Sequence, residues 1–295
     1  MTTSAFTLRL VPIAFVLIWS TGWIIAGYAV QYADPLTFLS IRFGVATVLL
    51  AAVALVMRAK WPVTPIQIMH GVISGLLLHA LYLGGTWWGI QHGVPTGISG
   101  LIAALQPLLT AVLAPYLIHE YMSGRQKSGV LIGFLGITCV LWPKAMGVTT
   151  VSLQDVMIPL LITIMSVVSL TLGTFYQKRF MSEGELIPLT IIQYGACTLA
   201  TVPIAYLLEP MHITWNMTTL LVLLWSVLGL SFGAIGLLLF LIRQGEVSRT
   251  AALIYTVPPL TAFQAYLFFN ETLVSIQIIG FILTAGGVAL AVRRA

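Results

Sequence analysis

One apolar stretch, GLLLHALYLGGTWWG, carries His79 at its centre, Tyr82 and Thr86 after it, and Gly75 one turn before. Spacings of three and four residues place these groups on one face of a helix. An imidazole, a phenol and an alcohol in a row can hydrogen-bond, and the two rings can stack. None has the acid, base or metal-ligand neighbours that a reaction would need, so the stripe fits binding better than bond-making. Two roles are open to His79: a hydrogen bond to a neighbouring helix, or the lining of a cavity. Its position beside Tyr82, midway along an apolar run, favours the cavity.

Other residues could join it. Trp19 and Trp23 lie one turn apart in IWSTGWIIAGY, around Ser20 and Thr21. An indole at mid-depth needs a partner for its N–H or a cavity to face. Ser166 and Tyr255 fall near the middle of their own apolar runs. Ser166 has a competing role, a bond back to its own helix. Arg42 is the one cation inside an apolar run. A long arginine can snorkel to an interface, pair with a carbonyl, or bind a substrate carboxylate; the structural roles are favoured.

The elements that hold these groups follow from composition. The chain is 59% hydrophobic and 7% charged, with mean hydropathy +1.03. Soluble domains carry roughly 25% charged residues. Lipid is therefore the expected solvent, and the backbone must satisfy itself in helices or a closed barrel. Apolar runs of about twenty residues select helices. The net charge of +5 is spread between the runs without a basic face, so no nucleic-acid partner is expected. Cys139 and Cys197 lie inside apolar runs without metal-ligand spacing, and neither a metal nor another cofactor is expected. Every acidic residue maps to a loop or a span end, which argues against a buried proton relay. A membrane-embedded enzyme lacks its motifs here, and a passive channel lacks charged rings.

Ten spans are predicted, at roughly 8–30, 36–57, 66–90, 95–118, 127–143, 155–177, 187–208, 217–242, 249–269 and 273–292. The first is read as a retained span rather than a leader. With the N-terminus inside, Arg9, Arg58, Lys60, Arg125, Lys127, Lys178, Arg179, Arg243, Arg249, Arg293 and Arg294 fall on the cytoplasmic side, and Lys144 alone falls outside. That asymmetry predicts both termini in the cytoplasm.

The chain also repeats itself. A shift of 151 lays PLLTAVLAPYLIHE, from Pro107, on PPLTAFQAYLFFNE, from Pro258, and pairs Glu120 with Glu271. It continues through Gln126/Gln277, Gly129/Gly280 and Gly136/Gly287, while Pro35-Leu36-Thr37 matches Pro188-Leu189-Thr190 at a shift of 153. Residues 1–147 and 148–295 are thus expected to be two five-helix repeats. Five is odd, so the second copy enters the membrane inverted. Pro107 and Pro258 should bend spans four and nine and are candidate hinges. Glu120 and Glu271 should accept backbone N–H bonds from the start of the next helix.

These features resemble the drug/metabolite transporter superfamily in its ten-helix EamA branch. The resemblance rests on Pro107-Leu108 to Glu120, Gln126 and Gly129, its second appearance from Pro258-Pro259 to Glu271, Gln277 and Gly280, and the IWSTGW opening, where Ser20 stands in place of the usual glycine. HALYLGGTWWGIQHGVPTGISGLIAALQPLLTA is also similar to the YddG group, linked to export of aromatic amino acids. The resemblance implies an all-α carrier in a bacterial inner membrane, with alternating access through a central cavity between the repeats. It implies export of neutral amino acids, aromatic ones included, or of other amphipathic compounds. His79, Tyr82, Trp19, Tyr255, Ser166, Thr86 and Trp23 would bind the substrate, and a single copy should suffice. The first span has no acid, which disfavours exchange of cationic drugs for protons, and Arg42 alone is too little charge for a phosphorylated substrate.

Overall fold

The computed structural model describes residues 5–61, 64–117, 123–145, 153–181, 186–234, 237 and 256–292. Apart from one isolated bridge between Ala33 and Ile213, the regular elements among them are helical. In chain order they are α1 (Ala5–Ala29), α2 (Pro35–Met57), α3 (Pro65–Gly75), the π-helical π1 (Leu76–Leu81), α4 (Tyr82–Gln91), α5 (Thr96–Ala103) and α6 (Gln106–Leu117). Then come α7 (Gly124–Ala145), α8 (Leu153–Phe180), α9 (Leu186–Leu208), α10 (Met217–Leu224), π2 (Trp225–Ala234, also π-helical), α11 (Val257–Phe269) and α12 (Ser275–Val292). Seven helices among the described residues are long and apolar enough to cross a membrane, and α12 contributes a shorter apolar segment.

Helix ends are set by local chemistry. Thr64 and Gln67 form a reciprocal capping box ahead of α3, with Pro65 in the first turn. Ser123 and Gln126 do the same for α7, and Gln277 accepts the Val274 N–H ahead of α12. The paired glutamines of the repeat, Gln126 and Gln277, thus cap the following helix. Glu271 reaches elsewhere, accepting the Thr96 and Gly97 N–H groups at 2.8 and 3.0 Å and the Thr96 hydroxyl at 2.6 Å. It caps α5, because the turn after α11 runs beside the start of that helix. Glu209, at the end of α9, treats α2 alike, accepting from Leu36 N and Thr37 N, both at 2.8 Å. Glu120 lies outside the described residues.

Span four is broken rather than bent. The α-helix stops at Ala103 and resumes at Gln106, placing Pro107 in a first turn, where its missing donor costs no helical bond. Pro258 likewise sits in the first turn of α11.

Two compact units are present, each drawn from both halves of the chain. The first contains Met1–Gly27, Gly93–Ile158 and Leu224–Ala295, and its main pairings are α7 with α12 and α5 with α11. The second contains Tyr28–His92 and Pro159–Leu223, built on α2 against α9 and on α3 and π1 against α9. The bridged loops of the second unit tie the start of α2 to the end of α9, with Asp34 N donating to His212 O at 3.0 Å and His212 N to Asp34 Oδ2 at 2.7 Å.

Small residues set the helix spacing. A Cβ on Gly75 would stand 2.6 Å from the Gln193 Cα, so α3 lies directly on the α9 backbone. In lipid, where apolar surface gives no association advantage, such close contact is a main source of helix pairing.

Candidate functional site

The second unit holds a polar cluster in an aromatic setting. His79 lies in π1, where the wider turn follows the close approach of Gly75 to α9. π-helical turns loosen the backbone ladder and are frequent at functional sites. Neighbouring helices supply donors to carbonyls at this turn: Ser169 Oγ to Leu77 O at 3.0 Å, and Cys197 Sγ to Gly75 O at 3.2 Å. The His79 ring meets Tyr194 of α9 edge-on, 4.8 Å between centroids, with Phe43 of α2 at 6.5 Å. Phe43 and Tyr194 stack at 5.6 Å. The Gln193 side chain bonds to His79, and its Nε2 donates to Ser74 Oγ at 2.9 Å. His79 and Tyr82 are half-buried.

Arg42 belongs to the same cluster. The expectation that it snorkels to an interface is not met: the residue is 6% exposed. The α2 surface is covered here by α9 and α4, and the guanidinium carbon stands 6.0 Å from the Trp87 ring centroid. Its Nε has no hydrogen-bond partner. Among the described residues no carboxylate pairs with it. A buried, unpaired charge costs several kcal/mol, of which a cation over an indole recovers about 0.5–2 kcal/mol.

Thr86 and Ser166 come together in the same unit, but with each other. Their hydroxyls are 2.9 Å apart, and both residues are buried. Cβ atoms on Gly85 and Gly89 would collide with Ser166 and Thr163, so this pair fastens a tight crossing of α4 and α8. Beside the crossing runs an open groove of about 560 Å³, lined mostly by apolar side chains such as Leu81, Met165 and Ile204. His79 and Tyr82 do not line it.

The first unit holds Trp19 and Trp23. Trp19 is half-buried with its ring 5.4 Å from Phe15, and Trp23 is buried. Between them Ser20 Oγ accepts from Gln264 Nε2 at 3.0 Å, while Gln264 Oε1 is buried without a partner. Trp225, which opens π2, donates its indole N–H to Thr21 Oγ1 at 2.9 Å. Tyr255 lies outside the described residues. Gln193, Tyr194 and Gln264 were not read from the sequence as site residues; an amide inside a long apolar run was the available signal.

The model of the EamA-like transporter family matches residues 9–142 and again 157–293. The Bacillus subtilis (strain 168) protein described as uncharacterized transporter YvbV is 25% identical, over 93% of this chain and 88% of its own length. A probable amino-acid metabolite efflux pump of Escherichia coli (strain K12) is 23% identical, over 92% of this chain and 90% of its own. An S-adenosylmethionine uptake transporter of Rickettsia bellii (strain RML369-C) is 27% identical over 68% of this chain and 64% of its own. One crystal structure of a protein matches with a TM-score of 0.65 at 20% identity, covering 96% of each chain, a likeness of fold alone.

Proposed function

Because the chain belongs to the EamA-like transporter family and is therefore a multi-pass membrane protein, we propose that it exports neutral amino acids, aromatic ones included, by alternating access. The observation that carries this reading is the half-buried His79 in its π-helical turn, ringed by Tyr194, Phe43 and the Gln193 amide. An apolar sleeve with a few convergent polar groups suits an amphipathic solute. The E. coli relative, a probable amino-acid metabolite efflux pump, supports the solute class and the direction. The family and its relatives point to transport, not to an enzymatic reaction.

In this reading the ten spans form two inverted repeats, 1–147 and 148–295, with both termini in the cytoplasm of a bacterial cell and the protein in its inner membrane as a monomer. Substrate shifts the balance between inward-open and outward-open forms through its differential affinity for them. Tyr82 extends the His79 stripe. Without a mid-membrane carboxylate, the carrier works as a facilitator or with weak proton linkage.

Counterflow in proteoliposomes tests this. Vesicles loaded with unlabelled phenylalanine should accumulate the radiolabelled amino acid transiently and saturably. Accumulation no greater than in empty vesicles, across a panel of amino acids, rejects the reading. If amphipathic drugs drive counterflow and amino acids do not, the broader multidrug reading replaces it.

A further inference from the structure

We propose that Arg42 is the anchor for the carboxylate of the transported solute, held in the second unit against His79, Tyr194 and Trp87. The inference rests on the transport reading above and specifies its substrate class: a monoanionic carboxylate on an apolar or aromatic body.

Among the described residues Arg42 has no counter-ion. It is 6% exposed, its Nε lacks any partner, and no carboxylate among the described residues reaches it. A guanidinium held for structural reasons would spend its fork of donors on backbone carbonyls or on an acid. Here the neighbouring groups are an indole at 6.0 Å and the Phe43–Tyr194–His79 rings. Rings leave the buried Nε without a partner and exclude water, which strengthens the pairing with any anion that arrives. A planar guanidinium matches a carboxylate through two parallel hydrogen bonds. One such cation beside an imidazole balances a single negative charge and falls short of a phosphate dianion.

The internal repeat supplies an independent reason. A shift of 151, which lays α2 (Pro35–Met57) on α9 (Leu186–Leu208), places Gln193 opposite Arg42 and Leu230 opposite His79. The second copy builds its corresponding spans with neither group. The cation and the imidazole are therefore not demands of the shared fold; they belong to one face of one copy, where a polar solute end would lie.

The test uses the full-length purified protein with four probes: phenylalanine, phenylalaninamide, phenylacetate and phenylethylamine. Ligand-induced thermal stabilisation gives affinities for wild type, Arg42→Gln and Arg42→Lys, with unliganded melting measured in parallel. Phenylalanine should bind wild type about 10- to 100-fold more tightly than its amide, the range of a charged hydrogen-bonded pair. Arg42→Gln should erase that preference and Arg42→Lys keep part of it. The unliganded Arg42→Gln protein should melt at or above the wild-type temperature, because an uncompensated buried charge has been removed.

The two proposals separate cleanly. If acid and amide bind wild type equally, the anchor is refuted and amino-acid transport stands; this comparison needs no variant to fold. If phenylacetate binds in an Arg42-dependent way and phenylalanine does not, the carboxylate site stands and the amino-acid reading falls. If none of the four binds, both fall. An Arg42→Gln protein that melts well below wild type and still binds phenylalanine in preference to its amide marks Arg42 as structural.

Discussion

Gly136 of α7 and Gly280 of α12 face each other backbone to backbone. A Cβ on Gly136 would stand 2.7 Å from the Gly280 carbonyl oxygen, and a Cβ on Gly280 would stand 2.6 Å from that of Gly136. Under the 151-residue shift their counterparts are Gly287 and Gly129, and a Cβ on Gly287 would stand 2.6 Å from the Gly129 carbonyl oxygen. The contact recurs with the partners exchanged, as at a two-fold interface. This reciprocity supports the proposal of two inverted copies.

The seam makes a stability prediction. Gly136→Ala would bring its methyl to 2.5 Å from the Thr284 amide nitrogen, a backbone atom that cannot swing aside. We expect the helices to be forced apart at a cost of about 1–3 kcal/mol, by analogy with overpacked cores. Gly286→Ala in α12 meets no atom within 4 Å and should hold or raise stability by up to about 1 kcal/mol through helix propensity. Thermal melting of both variants in one detergent checks the pair; equal effects would mean the α7–α12 contact is not this close.

The caps give a second prediction. Removing the Glu271 carboxylate by Glu271→Ala strands the Thr96 and Gly97 N–H groups at the start of α5. Removing Glu209 strands those of Leu36 and Thr37 at the start of α2. Each should cost about 0.5–2 kcal/mol, as helix caps do. Glu271→Gln keeps an acceptor and should lose less. Hydrogen exchange of the first turn of α5 or α2 is the local readout, and unchanged protection in the alanine variants would remove the capping role.

Several of these elements were legible in the sequence, and the exceptions have identifiable causes. Apolar runs located α2 and α9 well, because lipid imposes both length and composition. The Gln126 and Gln277 positions carried a capping signal in their spacing from Ser123 and Val274. Glu271 of the same motif caps α5 rather than the helix that follows it, since only packing shows that it lies beside α5. Neither π-helical segment was visible: an extra residue per turn leaves no mark in a run where nearly every position is apolar. Tyr194 and Gln193 gain meaning only when α9 lies on α2 and α3. The bond between Thr86 and Ser166 is likewise invisible in a sequence, which lists hydroxyls without showing which of them meet.

Sidedness gives a third prediction. The loop before α2 and the loop after α9 are bridged at Ala33 and Ile213 and so lie on one face. Helix α2 carries the chain from that face to Arg58, which ends it in a left-handed conformation with φ of 52°. Cysteines introduced at Gln31 and His212 should react together with an impermeant maleimide from outside intact cells. Cysteines at Arg58 and Ser123 should react only after permeabilisation. The reverse pattern would place both termini outside; labelling of Gln31 and His212 from different sides would break the fold of the second unit as described.

The last prediction separates the two uses of polar groups on the π1–α4 segment. His79→Phe keeps a ring of similar size against Tyr194 and Phe43, so packing and melting temperature should change little. It removes both ring nitrogens and with them the bond to Gln193 and any bond to a solute. We expect phenylalanine counterflow to fall about tenfold or more, the scale of one lost hydrogen bond to a charged partner. Thr86→Ala does the opposite. It removes one hydroxyl of the 2.9 Å pair with Ser166 and should lower stability by about 1 kcal/mol, leaving the ratio of phenylalanine to phenylalaninamide affinities unchanged. Measuring both quantities for both variants gives a two-by-two outcome. If His79→Phe melts early and transports normally once folded, the histidine is a packing residue; if Thr86→Ala alters solute preference at unchanged stability, the hydroxyl belongs to the binding site after all.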